Sequence, residues 1–226
     1  MQTWKCEFIE FMVRAGVLRF GAFTTKSGRE TPYFIDTGRY ATGAQIARLG
    51  GYYARAIQAG FPDGVDVLFG PAYKGIPLVT AAAAALAREY DRDLGFAFNR
   101  KEAKDHGEKG ALVGRPLQDG DRVVIVEDVI TAGTSVRETV PLLQAAARVR
   151  VMGLVVAVDR MERGEADQSA LDELRARYGL KTVALVTLAE IVDYLHNRPV
   201  DGRVVLDDAV RERIRAYRAA YGAGGG

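Results

Sequence analysis

Apolar positions along this chain follow two alternating periods. Short apolar runs fall at 65–69, 94–99, 123–126, 151–158 and 182–186 and predict strands, and the β-branched run at 123–126 reads as one buried on both faces. Between them apolar residues recur at helical spacing. Ile46, Leu49, Tyr53, Ala56 and Ile57 form one stripe and predict a helix over 45–59, stopped by Gly60. Further helices are predicted over 7–15, 76–90 and 169–178. Another follows the 123–126 run, with Val136, Val140, Leu143 and Ala147 inward. Ser135 with Glu138 and Thr187 with Glu190 fit capping boxes, the second opening a helix that reaches His196. Pro141 removes one ladder bond, so a kink or a loose first turn is expected there. Leu206, Val210, Ile214, Tyr217 and Tyr221 mark a last amphipathic helix. Before this alternation, 17–36 reads as strands around the polar turn Lys26-Ser27-Gly28-Arg29.

This order predicts an α/β fold: a mostly parallel central sheet of about five strands, flanked by helices, with right-handed crossovers. No internal repeat or linker is visible. The expected organisation is one domain, 1–226, with a small N-terminal hood over about 1–40, a core over about 41–221 and a flexible tail at 222–226. In such sheets ligands sit beyond the carboxyl ends of the strands. Lys74, Arg100, Glu127, Asp128 and Arg160 all fall just after predicted strands, so one rim would collect them.

Composition narrows the class. With 48% hydrophobic and 27% charged residues in 226, this is an ordinary globular make-up. No apolar run approaches a membrane span and no signal peptide opens the chain, which predicts a cytoplasmic protein without a membrane partner. Cys6 is the single cysteine, which excludes an internal disulfide and a cysteine-rich zinc site. A net charge of +2 gives no support to a nucleic-acid partner.

The candidate chemistry centres on Glu127-Asp128-Val129-Ile130-Thr131-Ala132-Gly133-Thr134-Ser135. Two acids follow a buried strand, then a hydroxyl-rich loop leads into a helix N-terminus. Free N–H groups and the helix dipole make such a loop a phosphate cradle. The acids would then accept from sugar hydroxyls or hold hydrated Mg²⁺. Individually these are ordinary strand-end and loop residues. The same plan recurs at Gly70-Pro71-Ala72-Tyr73-Lys74-Gly75, where glycine lets backbone approach a ligand and Lys74 adds a cation. That recurrence favours a split phosphate site over two plain turns. The polar stretch 100–110 reads either as a solvated face or as a mobile lid carrying cations. Arg160 leaves a buried strand placed for a bidentate carboxylate contact, or else forms a surface pair with Asp159 or Glu162. G-x-x-x-x-G-K-[ST] and a helix-opening G-x-G-x-x-G are both missing from the sequence.

The acidic string resembles the phosphoribosyl diphosphate (PRPP) signature of type I phosphoribosyltransferases. Together with Lys26-Ser27-Gly28, Pro32-Tyr33-Phe34, the Gly70 motif, Arg100-Lys101-Glu102-Ala103-Lys104-Asp105-His106-Gly107, and Asp159-Arg160 before Glu162-Arg163-Gly164, the chain resembles the orotate phosphoribosyltransferases over nearly its whole length. The resemblance implies the type I phosphoribosyltransferase fold. It also implies a Mg²⁺-dependent reaction of orotate with PRPP, giving orotidine 5′-phosphate and pyrophosphate in pyrimidine synthesis. It implies that Lys26, Tyr73 and Lys74 touch PRPP, and that Arg100, Lys101, Lys104 and His106 gather at its pyrophosphate. Glu127, Asp128, Val129, Ile130, Thr131, Ala132, Gly133, Thr134 and Ser135 would hold the ribose 5-phosphate. Lys26, Phe34, Ile35, Thr131 and Arg160 would hold orotate, with Arg160 on its carboxylate. Lys101, Lys104, His106, Glu127 and Asp128 are the implied catalytic groups. No protein ligand is assigned to Mg²⁺, which PRPP and water would mainly hold. The family also implies a homodimer whose lid crosses into the neighbouring site. Rival readings are a related transferase for a purine or uracil, and a PRPP-sensing regulator that binds nucleic acid. The Arg160 loop argues against the first and the lid lysines against the second.

Overall fold

The computed structural model describes residues 1–25, 28–101, 111–130, 133–164 and 168–223. In chain order the elements are α1 (Thr3–Arg14), β1 (Leu18–Thr24), β2 (Glu30–Ile35), a 3-10 turn (Thr37–Arg39), α2 (Gly43–Gly60), β3 (Val67–Gly70), α3 (Gly75–Tyr90), β4 (Gly95–Asn99), β5 (Leu112–Gly114), β6 (Arg122–Val129), α4 (Thr134–Ala146), β7 (Arg150–Asp159), α5 (Ala170–Tyr178), β8 (Lys181–Thr187), α6 (Leu188–Leu195), β9 (Pro199–Val200), β10 (Arg203–Val204) and α7 (Asp208–Tyr221).

Six strands form the central sheet in the order β5-β4-β3-β6-β7-β8. β4, β3, β6, β7 and β8 pair in parallel, and β5 is an antiparallel edge on β4. The pleat explains why these strands read as unbroken apolar runs. Leu68, Val124, Val126, Val155 and Ala157 point into one core with Leu49, Tyr53, Val79 and Leu86 of α2 and α3. Val67, Phe69, Val123, Ile125, Leu154 and Val156 point the other way, against Val136, Val140 and Leu143 of α4 and Leu171 and Leu174 of α5. Both faces are covered, so alternation disappears. Each fully buried aliphatic side chain here stabilises the fold by about 1.5–3 kcal/mol.

The small antiparallel pair β1–β2 is the hood, with Tyr33 buried beneath it. The Thr187–Glu190 capping box forms as read: Glu190 N–H donates to Thr187 Oγ1 at 3.2 Å and Thr187 N–H to Glu190 Oε2 at 2.8 Å. The Ser135 box does not. α4 begins two residues earlier than that box would set it, with Gly133 as its N-cap at φ 72° and no side-chain cap. Glycine enters that left-handed conformation without steric penalty. α4 runs as one helix through Pro141. The edge strand β5 and the β9–β10 hairpin were not expected; three and two residues respectively are too short to show a period. Gly222 and Ala223, expected as tail, are tied down. Ala223 N–H donates to Met161 O at 3.0 Å, and Gly222 bridges Glu162.

Candidate active site

The strand order reverses between β3 and β6. From β3 the chain crosses to β4 on one side, and from β6 to β7 on the other, so the loops leaving β3 and β6 diverge and open a crevice. The loop after β3 is drawn in tightly. A Cβ added to Gly70 would lie 2.2 Å from the Gly75 carbonyl oxygen, so only glycine permits this turn. Ala72 N–H donates to Asn99 Oδ1 at 2.8 Å, which anchors the loop to the end of β4. Tyr73 is largely exposed, and Lys74 projects across the crevice to donate to Asp128 Oδ2 at 2.9 Å.

Glu127 and Asp128 were expected to follow the strand. They belong to it: β6 continues to Val129, with Glu127 in register with Val156 of β7. Both are buried. Thr37 Oγ1 donates to Asp128 Oδ2 at 2.6 Å, so the turn after the hood and Lys74 fix the same oxygen. Burial first, and then the charge of Asp128, push the Glu127 carboxyl up to about 7; hydrogen bonds from Ser135 and the Asp128 N–H oppose this. Ser135 therefore lies in the first turn of α4 serving Glu127, not as a cap. Val129, Ile130, Gly133 and Thr134 complete the described part of the loop; Thr131 and Ala132 lie outside the described residues.

Arg160 follows β7 directly, beside β6, where Val129 pairs with Val158. Lys74, Asp128 and Arg160 thus stand on one rim of the sheet. The turn that presents Arg160 is closed by Met161 N–H donating to Asp159 Oδ1 at 2.8 Å. The side chain of Arg160 is mostly buried, not on the surface. Its Nη2 donates to Glu162 Oε1 at 2.6 Å and its Nε to Tyr33 Oη at 3.3 Å, with the guanidinium over the Tyr33 ring. Burial alone would ease the proton off Arg160, but Tyr33 and Glu162 outweigh it and hold the cation firmly charged.

Phe34 packs against Phe23 and under Arg19, and Ile35 is half-buried beside it; it is Tyr33 that touches Arg160. Arg100 follows β4 directly, and its N–H donates to Ala111 O at 2.8 Å, so the ends of the 100–111 segment meet at the rim. Lys101 is exposed there; Lys26, Lys104 and His106 lie outside the described residues. The sequence reading assigned no role to Thr37 or Tyr33 and gave Glu162 only as an alternative surface partner of Arg160; that pair forms, but it is buried. Glu162 stood two places after Arg160, but nothing in the local pattern marked it as buried.

Comparison with known proteins agrees with this fold. A model of the phosphoribosyl transferase domain matches residues 37–177. The orotate phosphoribosyltransferase of Lachnoclostridium phytofermentans is 55% identical over 222 residues, spanning 98% of this chain and 99% of that protein. The one from Nitrosococcus oceani is 50% identical over 98% of this chain and 97% of its own length. The crystal structure of Francisella tularensis orotate phosphoribosyltransferase superposes with a TM-score of 0.81 at 36% identity, covering 96% of this chain and 99% of that one. A Mycobacterium tuberculosis orotate phosphoribosyltransferase, solved in complex with PRPP, gives 0.62 at 26% identity over 83% of this chain and 98% of that one. A parallel sheet with a split loop pair at its switch point, matched at this identity over nearly every residue, means that the chain belongs to the orotate phosphoribosyltransferase family.

Proposed function

We propose that the chain transfers ribose 5-phosphate from PRPP to orotate, giving orotidine 5′-phosphate and pyrophosphate in the cytoplasm. The observation that carries this reading is the convergence of Lys74, Asp128 and Arg160 on one sheet rim, with Lys74 and Asp128 2.9 Å apart. The α4 N-terminus with Gly133, Thr134 and Ser135 receives the 5-phosphate. Glu127 and Asp128 face the ribose hydroxyls, and Arg160 holds the orotate carboxylate through a bidentate contact. Lys26, Tyr73, Lys74, Arg100 and Lys101 contact PRPP, with Lys104 and His106 brought over the pyrophosphate.

Breaking the bond between ribose C1 and pyrophosphate builds positive charge on the sugar and negative charge on the leaving group. Only contacts stronger in that state than in the ground state accelerate the step. The lysines aim at the leaving oxygens, where fixed cations stabilise the developing charge. The carboxylates face the cationic ring. Orotate is already an anion, so its attack needs no strong base.

The residues fit Mg²⁺ in one manner. The described residues contain no group of three side chains able to hold a metal, and Asp128 Oδ2 already accepts from Lys74 and Thr37. Two hard carboxylates beside a polyphosphate site suit an ion whose other ligands are phosphate oxygens and water. When bound, Mg²⁺ would neutralise charge on the pyrophosphate.

The test follows orotate by its ultraviolet absorbance with PRPP and Mg²⁺ present or withheld. Depletion only in the complete mixture is the expected result, and no depletion would overturn the reading. The proposed homodimer, with a lid shared between sites, rests on the family pattern. Mixing inactive Lys74→Ala and Lys104→Ala subunits should restore some activity after exchange; none would refute sharing.

A further inference from the structure

The Glu162 carboxylate lies where three separate parts of the chain meet. Its Oε1 accepts from Tyr33 Oη at 2.6 Å, Arg160 Nη2 at 2.6 Å and Tyr217 Oη at 2.9 Å. Its Oε2 accepts from Arg29 Nη2 at 2.7 Å. The hood supplies Arg29 and Tyr33, the turn after β7 supplies Arg160, and α7 supplies Tyr217. Glu162 is 8% exposed, so these contacts are made away from water and the carboxylate fills its accepting capacity from protein alone.

Charge adds a second point. Among the described residues bonded to Glu162, two guanidiniums surround one carboxylate. The cluster keeps one positive charge in excess in a mostly buried place, which an anionic ligand would balance. Glu162 occupies one Nη of Arg160, and Tyr33 its Nε. The guanidinium plane is thereby set before any ligand arrives. A long side chain that would otherwise sample many rotamers is held in one.

We propose that Glu162 is a positioning residue for the acceptor substrate: it orients Arg160 toward the orotate carboxylate and locks the hood and α7 around that subsite. This rests on the assignment of Arg160 to orotate. A merely structural carboxylate would lower stability and damage handling of both substrates alike. A positioning carboxylate acts on one substrate and only through Arg160.

The experiment is a double-mutant cycle with Arg160→Ala, Glu162→Gln and the pair, reading kcat and KM for orotate and PRPP separately below each variant's melting midpoint. Glu162→Gln should raise KM for orotate about tenfold or more, the effect expected when a charged hydrogen bond is lost, and leave KM for PRPP within about twofold. In the Arg160→Ala background the same change should add little further. Glu162→Asp, which keeps the charge one methylene further back, should fall between; it carries the comparison if Glu162→Gln does not fold. Equal losses for both substrates, or a full independent loss on top of Arg160→Ala, overturns the inference. If Arg160→Ala raises KM for orotate while Glu162→Gln and Glu162→Asp do not, this inference alone fails. If Arg160→Ala spares orotate, the assignment of Arg160 fails and the inference with it.

Discussion

Glu127→Gln should make the protein more stable above neutral pH while abolishing most of its activity. The carboxyl is buried beside Asp128 and titrates at about 7 instead of its ordinary 4.5. The folded protein thus holds this proton more tightly than the unfolded chain does. Stability must therefore fall as pH rises from about 4.5 through about 7, and the full penalty applies above that. At about 1.4 kcal/mol per pH unit of elevation, the penalty is about 3 kcal/mol. Glutamine keeps the shape and never ionises. It surrenders one accepting oxygen, now taken by the Asp128 N–H at 3.1 Å or by Ser135, which costs about 1 kcal/mol. Urea unfolding of both proteins at pH 5 and pH 8, followed by circular dichroism, isolates this titration because groups common to both cancel. The variant should be level with the parent, or weaker by about 1 kcal/mol, at pH 5, and more stable by about 2 kcal/mol at pH 8. A difference that stays constant with pH, or that grows toward acid, refutes the reasoning.

Lys104→Ala should lower kcat by about 10²–10³ with the fold intact, as for loss of one donor to a developing anion; near-normal turnover would remove Lys104 from the chemistry. Gly70→Ala must force β3 and α3 apart, because its Cβ would lie 2.2 Å from Gly75 O. A loss of about 1–3 kcal/mol in urea unfolding, with weaker PRPP binding by calorimetry, is expected. Asp66 is paired with Arg122 through both carboxylate oxygens, and Arg122 holds it down at about 2. Asp66 is partly exposed, so Asp66→Asn should cost no more than about 1 kcal/mol near neutral pH. That difference should shrink as pH falls from about 4 through 2, and a constant difference would refute the pairing.

Much of the architecture was legible because the central strands are covered on both faces. Val123 to Val126 and Val155 to Val158 leave few alternatives to a buried parallel sheet, and the residues singled out as following strands do share its rim. The errors share a physical origin. The pleat continues through Glu127 because β7 pairs with it, and a register partner cannot be seen in a local string. Ser135 looked like a cap because spacing alone fits one, yet a buried carboxyl nearby is the partner it takes. Glu162 looked like half of a solvent-exposed ion pair. Its burial is supplied by Tyr33 and Tyr217, 129 and 55 positions away in the chain. Distances of that kind are the part of the site that periodicity cannot encode.

Because Ala223 N–H donates to Met161 O and Gly222 bridges Glu162, the segment after α7 is fastened beside the guanidinium proposed to grip the acceptor. Cutting the chain back before Gly222 would remove both ties and should loosen the turn that presents Arg160.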